Sequence, residues 1–113
     1  MNIAAESYGH AVILNLKGEL TDDSLSALMQ AVDRTLEDSV IIDLVLNFDA
    51  VPFVDSKALE FLLALQNRLA ERLGQVKLLK CDENVRKILE ITRLEGAFEV
   101  CQDVNEAVKS IQA

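Results

Sequence analysis

The sequence predicts an α/β fold: a mixed, mostly parallel central sheet of about five strands with about four helices. Three observations carry this. Strand-like and helix-like patterns alternate along the chain in the order β-β-α-β-α-β-α-β-α, and strands separated by helices become parallel neighbours joined by crossovers. The run VIIDLVLNF, residues 40–48, is β-branched and largely apolar, the pattern of a strand covered on both faces, and marks the sheet centre. The chain has 113 residues, half of them hydrophobic and only one proline, which suits one compact domain with its own core.

Each element has its own signature. IAAES and HAVILNLKG read as two strands around a turn at Tyr8-Gly9, the short turn making them antiparallel. In the second, Val12, Leu14 and Leu16 form an apolar face. In TDDSLSALMQAVDRTLED, Leu25, Leu28, Met29, Val32 and Leu36 recur at helical spacing, with Thr21 or Asp22 as candidate caps. After the central strand, SKALEFLLALQNRLAERLG reads as a strong helix with Gly74 as its C-terminal stop. VKLLK is a strand, and ENVRKILEIT places Val85, Ile88, Leu89 and Thr92 on one helical face. AFEV is a short strand. DVNEAVKSIQA is a last helix with Asp103 and Glu106 at capping-box spacing and Val104, Ala107, Val108 and Ile111 as its stripe.

The formal net charge is −8 and no Lys/Arg run occurs, which argues against a nucleic-acid partner and an anionic membrane surface. No apolar stretch reaches the length of a membrane span, and MNIAAESYGH lacks the pattern of a signal peptide. These features point to a cytoplasmic protein that is not membrane-embedded. Cys81 and Cys101 fit no metal or redox spacing and read as buried free thiols.

Nothing in the pattern points to catalysis. His10 is the only histidine, has no ligand-spaced partner and reads as a surface residue. The four glycines, at 9, 18, 74 and 96, form no phosphate-cradling loop, and no Gly-x-Ser-x-Gly elbow exists. No catalytic residue, metal site or cofactor is expected.

One junction stands out. In VPFVDSKALEFLL, residues 51–63, an extended run turns into a helix at Asp55-Ser56. A helix cap is worth about 1 kcal/mol, and Asp55 supplies it as well as Ser56 does, so one of the two is redundant as a cap. Functional sites of open α/β sheets gather beyond the carboxyl ends of the strands, where this junction falls. A phosphoryl group on Ser56 would add about −1.5 to −2 charges. Asp49 and Asp55 would oppose that charge and Lys57 would partly offset it. At about 100° per residue, Ala58, Leu62, Leu65, Leu69 and Leu73 share the core face of the helix. Leu59 and Leu63 fall outside that stripe, beneath Ser56. They read either as covered by a neighbouring helix or as a partner-docking ridge.

At these residues the chain resembles the STAS family, which includes bacterial anti-sigma factor antagonists. The family's core motif is a hydrophobic strand, a short loop, Asp-Ser, a small pair usually ending in Gly, then Leu. VLNFDAVPFVDSKAL, from Val45 to Leu59, is similar to it. LNLKGELT resembles the family's second strand and its Gly-Glu-Leu turn. VRKILEITRLEGAFEV resembles the penultimate helix and final strand, and EAVKSI the closing helix. The resemblance implies a single STAS-like domain over residues 1–113. It implies an anti-sigma factor antagonist acting by phosphorylation-controlled partner switching. An anti-sigma factor that is also a serine kinase would bind when Ser56 is unphosphorylated, and a phosphatase would restore binding. The implied phosphorylation site is Ser56, with Asp55 its neighbour and a partner surface that includes the start of that helix. Joined with the docking-ridge reading, the candidate partner surface comprises Thr21, Asp22, Asp55, Ser56, Lys57, Leu59 and Leu63. The alternative is a STAS subunit of a membrane transport complex for lipid or anion, docking on ABC transporter subunits. Four positions depart from the family pattern. Lys57-Ala58 replaces a frequent Ser-Gly, Thr21 stands where many antagonists carry aspartate, and Arg93 replaces a frequent glycine, read here as a minor surface matter.

Overall fold

The computed structural model describes residues 1–94 and 96–107. Five strands run β1 (Asn2–Tyr8), β2 (Ala11–Lys17), β3 (Asp43–Ala50), β4 (Val76–Leu79) and β5 (Glu99–Cys101). Three helices connect the last four: α1 (Leu25–Leu36), α2 (Ser56–Ala70) and α3 (Glu83–Ile91). A fourth begins at 104, and the predicted Val108 and Ile111 of its stripe lie outside the described residues. The sheet order is β1-β2-β3-β4-β5, with β1 antiparallel to β2 and the remaining neighbours parallel. The sheet is therefore mixed, mostly parallel and centred on β3, as the alternating pattern requires.

The face periodicity explains the layers. Val12, Leu14 and Leu16 of β2, Leu44, Leu46 and Phe48 of β3 and Val76 and Leu78 of β4 share the core with α1, α2 and α3. The alternate residues Ala11, Ile13, Val45, Leu79 and Cys101 turn to the other face, where Ala107, Val104 and Tyr8 meet them. β3 is thus buried on both faces. Full burial of one such Leu or Val side chain is worth about 1.5–3 kcal/mol, so these rows dominate the stability of the sheet. Lys77 is wholly buried on the second face, with its Nζ 3.1 Å from Glu99. Among the described residues, no helix is long and apolar enough to cross a membrane.

Several expectations need correction. The cap of α1 is Ser24, not Thr21 or Asp22, and its side chain makes no capping bond. Met29, placed on the core stripe, is 43% exposed, because the buried row is Leu28, Val32 and Leu36. Gly74 is not the residue that turns the end of α2. Leu73 takes the left-handed conformation there (φ 64°), and the Gly74 N–H returns to the Leu69 carbonyl at 2.9 Å, a Schellman ending. Leu73, expected in the core, lies beyond the helix and is 92% exposed. A glycine is needed at 74 because a Cβ there would be driven into the Ile42 carbonyl. Arg93 is more than a surface matter: it ends α3 in the same left-handed geometry (φ 60°), with Leu94 N–H donating to the Leu89 carbonyl. His10 is partnered rather than simply exposed, its Nε2 lying 3.0 Å from the buried Asp43 carboxylate.

Candidate functional site

The parallel strands β2–β5 end on one edge of the sheet, and the loops after β2 and β3 meet there. Parallel pairing continues past the strands as a bridge between Leu20 and Val54. The Leu20 N–H donates to the Phe53 carbonyl (2.9 Å), and the Asp55 N–H donates to the Leu20 carbonyl (3.1 Å). Val51 and Val54 point into the core, each 1% exposed, and this pairing leaves Phe53 outward at 44%. The loop before α1 holds its own shape through Ser24. Its Oγ accepts from the Thr21 N–H (3.0 Å) and donates to the Glu19 carbonyl (2.8 Å).

Asp55 is the N-cap of α2, with extended backbone and its Oδ1 accepting from the Ala58 N–H at 2.9 Å. Its other oxygen, Oδ2, accepts from the Asp22 N–H at 2.8 Å. The Ala58 and Asp22 N–H groups hold the Asp55 carboxyl below its ordinary value, against a smaller opposing effect of desolvation. One carboxylate thus caps the helix and ties a loop 33 residues away in sequence to the helix start.

That arrangement answers whether Ser56 is a cap. It is not. Ser56 is the first residue of α2, is exposed, and its hydroxyl forms no hydrogen bond among the described residues. Lys57 beside it is also exposed, its Nζ 3.7 Å from Glu60. Glu19, Asp22 and Asp23 are exposed on the loop before α1 and Asp49 is exposed near the end of β3, while the basic residues are Lys17 at the end of β2 and Lys57 in the first turn of α2. The edge around the serine is therefore strongly acidic.

Of the residues singled out in the sequence, the structure brings Thr21, Asp22, Asp55, Ser56 and Lys57 to one edge. Leu59 is a correction: it is 6% exposed and part of the main core. The buried arc of α2 is wider than a single stripe, taking Ala58, Leu59, Leu62, Leu65 and Leu69, all part of the main core. Leu63 is half-buried against the same core. The two leucines therefore form no exposed ridge. Phe53 was missed. An aromatic in an apolar run reads as core, and the signal was Pro52, which breaks the strand alternation and leaves Val51 and Val54 three residues apart as the inward pair.

Other chemistry-bearing groups lie elsewhere. Both cysteines are buried and unpaired. Burial pushes the Cys81 thiol up to about 11 and raises that of Cys101, opposite to what a thiolate nucleophile requires. An open depression of about 470 Å³ lies between β1 and α1, lined in part by Ile3, Ala5, Ala27 and Arg34, and shares no lining residue with the Ser56 edge.

The chain is thus an α/β domain with a mixed, mostly parallel sheet and an exposed serine in the first turn of the helix that follows the central strand. The STAS domain family model matches residues 2–107, and the chain belongs to that family. Solved structures agree in fold. The anti-sigma factor antagonist SpoIIAA of Bacillus, in its unphosphorylated form, superposes with a TM-score of 0.84 at 20% identity, covering 98% of this chain and 96% of that one. An anti-sigma factor antagonist from Mycobacterium paratuberculosis superposes with a TM-score of 0.86 at 22% identity, covering 99% and 94%. The murine anion transporter Slc26a9 contains a similar fold, with a TM-score of 0.76 at 18% identity. There the match covers 95% of this chain but 18% of the transporter.

Proposed function

We propose that this protein is a bacterial anti-sigma factor antagonist, a cytoplasmic binding protein whose partnership is switched by phosphorylation of Ser56. The unit is a single STAS domain over residues 1–113. The observation that carries the reading is the division of labour at the start of α2. Asp55 does the capping, so Ser56 is left exposed with an unpartnered hydroxyl. A serine in that position is free to be modified without dismantling the helix.

In the proposed switch an anti-sigma factor that is also a serine kinase docks on the Ser56 edge. It transfers the γ-phosphoryl group of ATP to Ser56 Oγ. The Oγ–P bond forms, the bond from phosphorus to the ADP oxygen breaks, and the hydroxyl proton passes to a base on the kinase. The new dianion appears among Asp22, Asp49 and Asp55 at an edge that is already acidic, and the partner's fit is lost. A phosphatase removes the group by hydrolysis and restores binding.

Co-purification from the host, with phosphopeptide mapping, tests this. A kinase-type partner and a phosphate on Ser56 are expected. Ser56→Asp is expected to weaken partner binding while thermal unfolding stays near that of the wild type. An unmodified Ser56 in every growth state, with no kinase-type partner, would sink the reading. The fold's occurrence inside an anion transporter favours one second reading, a docking module of a membrane transport complex. That reading predicts ABC transporter subunits in the co-purified material and binding indifferent to Ser56→Asp.

A further inference from the structure

We infer that Asp55 is a positioning residue that clasps the 19–24 loop to the acceptor helix, so that a kinase-type partner reads Asp22 and Ser56 as one surface. The inference deepens the reading of Ser56 as the acceptor and rests on it.

The geometry is specific. The two oxygens of one carboxylate serve two N–H groups, Ala58 of the helix (2.9 Å) and Asp22 of the distant loop (2.8 Å). Among the described residues, the Asp22 bond is the one hydrogen bond joining residues 21–24 to residues 53–58. Leu20 is held by the backbone bonds to Phe53 and Asp55. Past Leu20, Ser24 shapes the loop internally but does not tie it to α2. Asp55 therefore sets where Thr21 and Asp22 stand relative to Ser56.

Capping alone does not require aspartate, because serine and asparagine cap about as well. What aspartate adds is a second acceptor oxygen. Asparagine would keep the Ala58 bond through its carbonyl but turn an amide NH2 toward the Asp22 N–H, donor against donor. Serine has one oxygen and cannot serve both. A loop held before the partner arrives also spares the complex the entropy of ordering it. The clasp acts on binding rather than on the phosphoryl-transfer step, and that separates its effect from a direct role in chemistry.

The experiment uses the full chain, with Asp55→Asn and Asp55→Ser, in two measurements. The first is amide hydrogen exchange at Asp22 in the free protein. The second is steady-state phosphorylation by the host's anti-sigma factor kinase with ATP, read as KM and kcat. Both variants are expected to keep a thermal midpoint near wild type, because the cap survives. Asp22 exchange is expected to quicken about tenfold or more, since its N–H then meets only water. KM is expected to rise about tenfold with kcat held, the signature of lost binding rather than lost transition-state contact. An Asp22 amide still protected in both variants would show that Asp55 does not hold the loop. A freed amide with wild-type KM would show that the partner does not read it. Either result overturns this inference and leaves Ser56 as the acceptor. A wild-type protein that the kinase fails to phosphorylate overturns the acceptor reading and this inference with it.

Discussion

The two ends of α2 solve the same problem in opposite ways. A helix leaves unpaired N–H groups at its start and unpaired carbonyls at its end. At the start, side-chain chemistry meets the need: the Asp55 carboxylate takes one helix N–H and reaches across to Asp22 with its other oxygen. At the end, backbone geometry meets it: Leu73 adopts φ 64° so that the Gly74 N–H can return to the Leu69 carbonyl. The first solution leaves its neighbour Ser56 with no structural duty. The second places a large apolar side chain 92% in solvent and demands glycine next to it. A side-chain solution can be altered without moving the chain, whereas a backbone solution cannot, and the exposed serine sits at the adaptable end.

The strongest test of that contrast is Gly74→Ala. The added Cβ would strike the Ile42 carbonyl, and backbone cannot move aside as a flexible side-chain tip can. Gly74 lies where the α2–β4 connection crosses the start of β3, with the Leu44 N–H bonded to the Gln75 carbonyl. The expected loss is about 3 kcal/mol or more, read by denaturant unfolding. A loss below about 1 kcal/mol would mean that this end adapts after all, and the contrast would dissolve.

Next in size is Asp55→Ala at the other end, which removes the cap and the clasp together. Stability is expected to fall, but by less than for Gly74→Ala, because water reaches the freed N–H groups. The pH dependence follows from the lowered Asp55 carboxyl. A group whose folded-state pKa is depressed stabilises above its ordinary value. That stabilisation is lost as pH falls through the folded-state value. Acid unfolding of the wild type should therefore carry a contribution below the ordinary aspartate range that Asp55→Asn lacks. Parallel acid titration curves for the two proteins would show that the carboxylate does not hold these bonds.

The same contrast explains what the sequence made legible. Alternating strands and helices, the doubly buried Val45 strand and the Asp55-Ser56 junction depend on near neighbours or on face periodicity, and they read directly. The Asp22–Asp55 bond joins residues 33 apart and follows from how β2 and β3 align past their ends. Two steps along β2 (Asn15 to Lys17) match three along β3 (Asn47 to Ala50), a bulge that no local pattern announces. Leu59 was misjudged because the width of a helix's buried arc depends on its neighbours rather than on its own period. Leu73 was misjudged because the apolar period runs on past Ala70, where the helix stops. The Asp55 cap at the start of α2 was readable from residue type, whereas the Ser24 cap of α1 and the left-handed Leu73 and Arg93 were not.

Leu73→Gly should sharpen the contrast in the stabilising direction. A non-glycine residue in the left-handed region carries a strain of about 1–2 kcal/mol. Leu73 has almost no packing to lose, so removing its side chain forfeits little. Glycine's greater freedom in the unfolded chain offsets part of the gain. The net expectation is about 1 kcal/mol of added stability, seen as a higher thermal midpoint. A drop instead would mean that the exposed Leu73 makes contacts in solution that hold this end together.

The smallest effect is expected at Arg93→Gly, which asks whether the backbone solution at the end of α2 recurs as a rule. Arg93 ends α3 with the same geometry: φ 60°, its own N–H on the Glu90 carbonyl and the Leu94 N–H on the Leu89 carbonyl. Relief of strain should again stabilise. Here, however, the lost residue is a cation just past a helix C-terminus, where a positive charge is favourable by about 0.3–1 kcal/mol. Glycine removes that attraction, so the gain should shrink to about 0.5 kcal/mol at low salt. It should grow as added salt screens the arginine's contribution in the wild type. Measuring both variants at low and high salt separates the two causes. Leu73→Gly should be indifferent to salt and Arg93→Gly should not. Equal salt responses would show that charge does not distinguish these two endings.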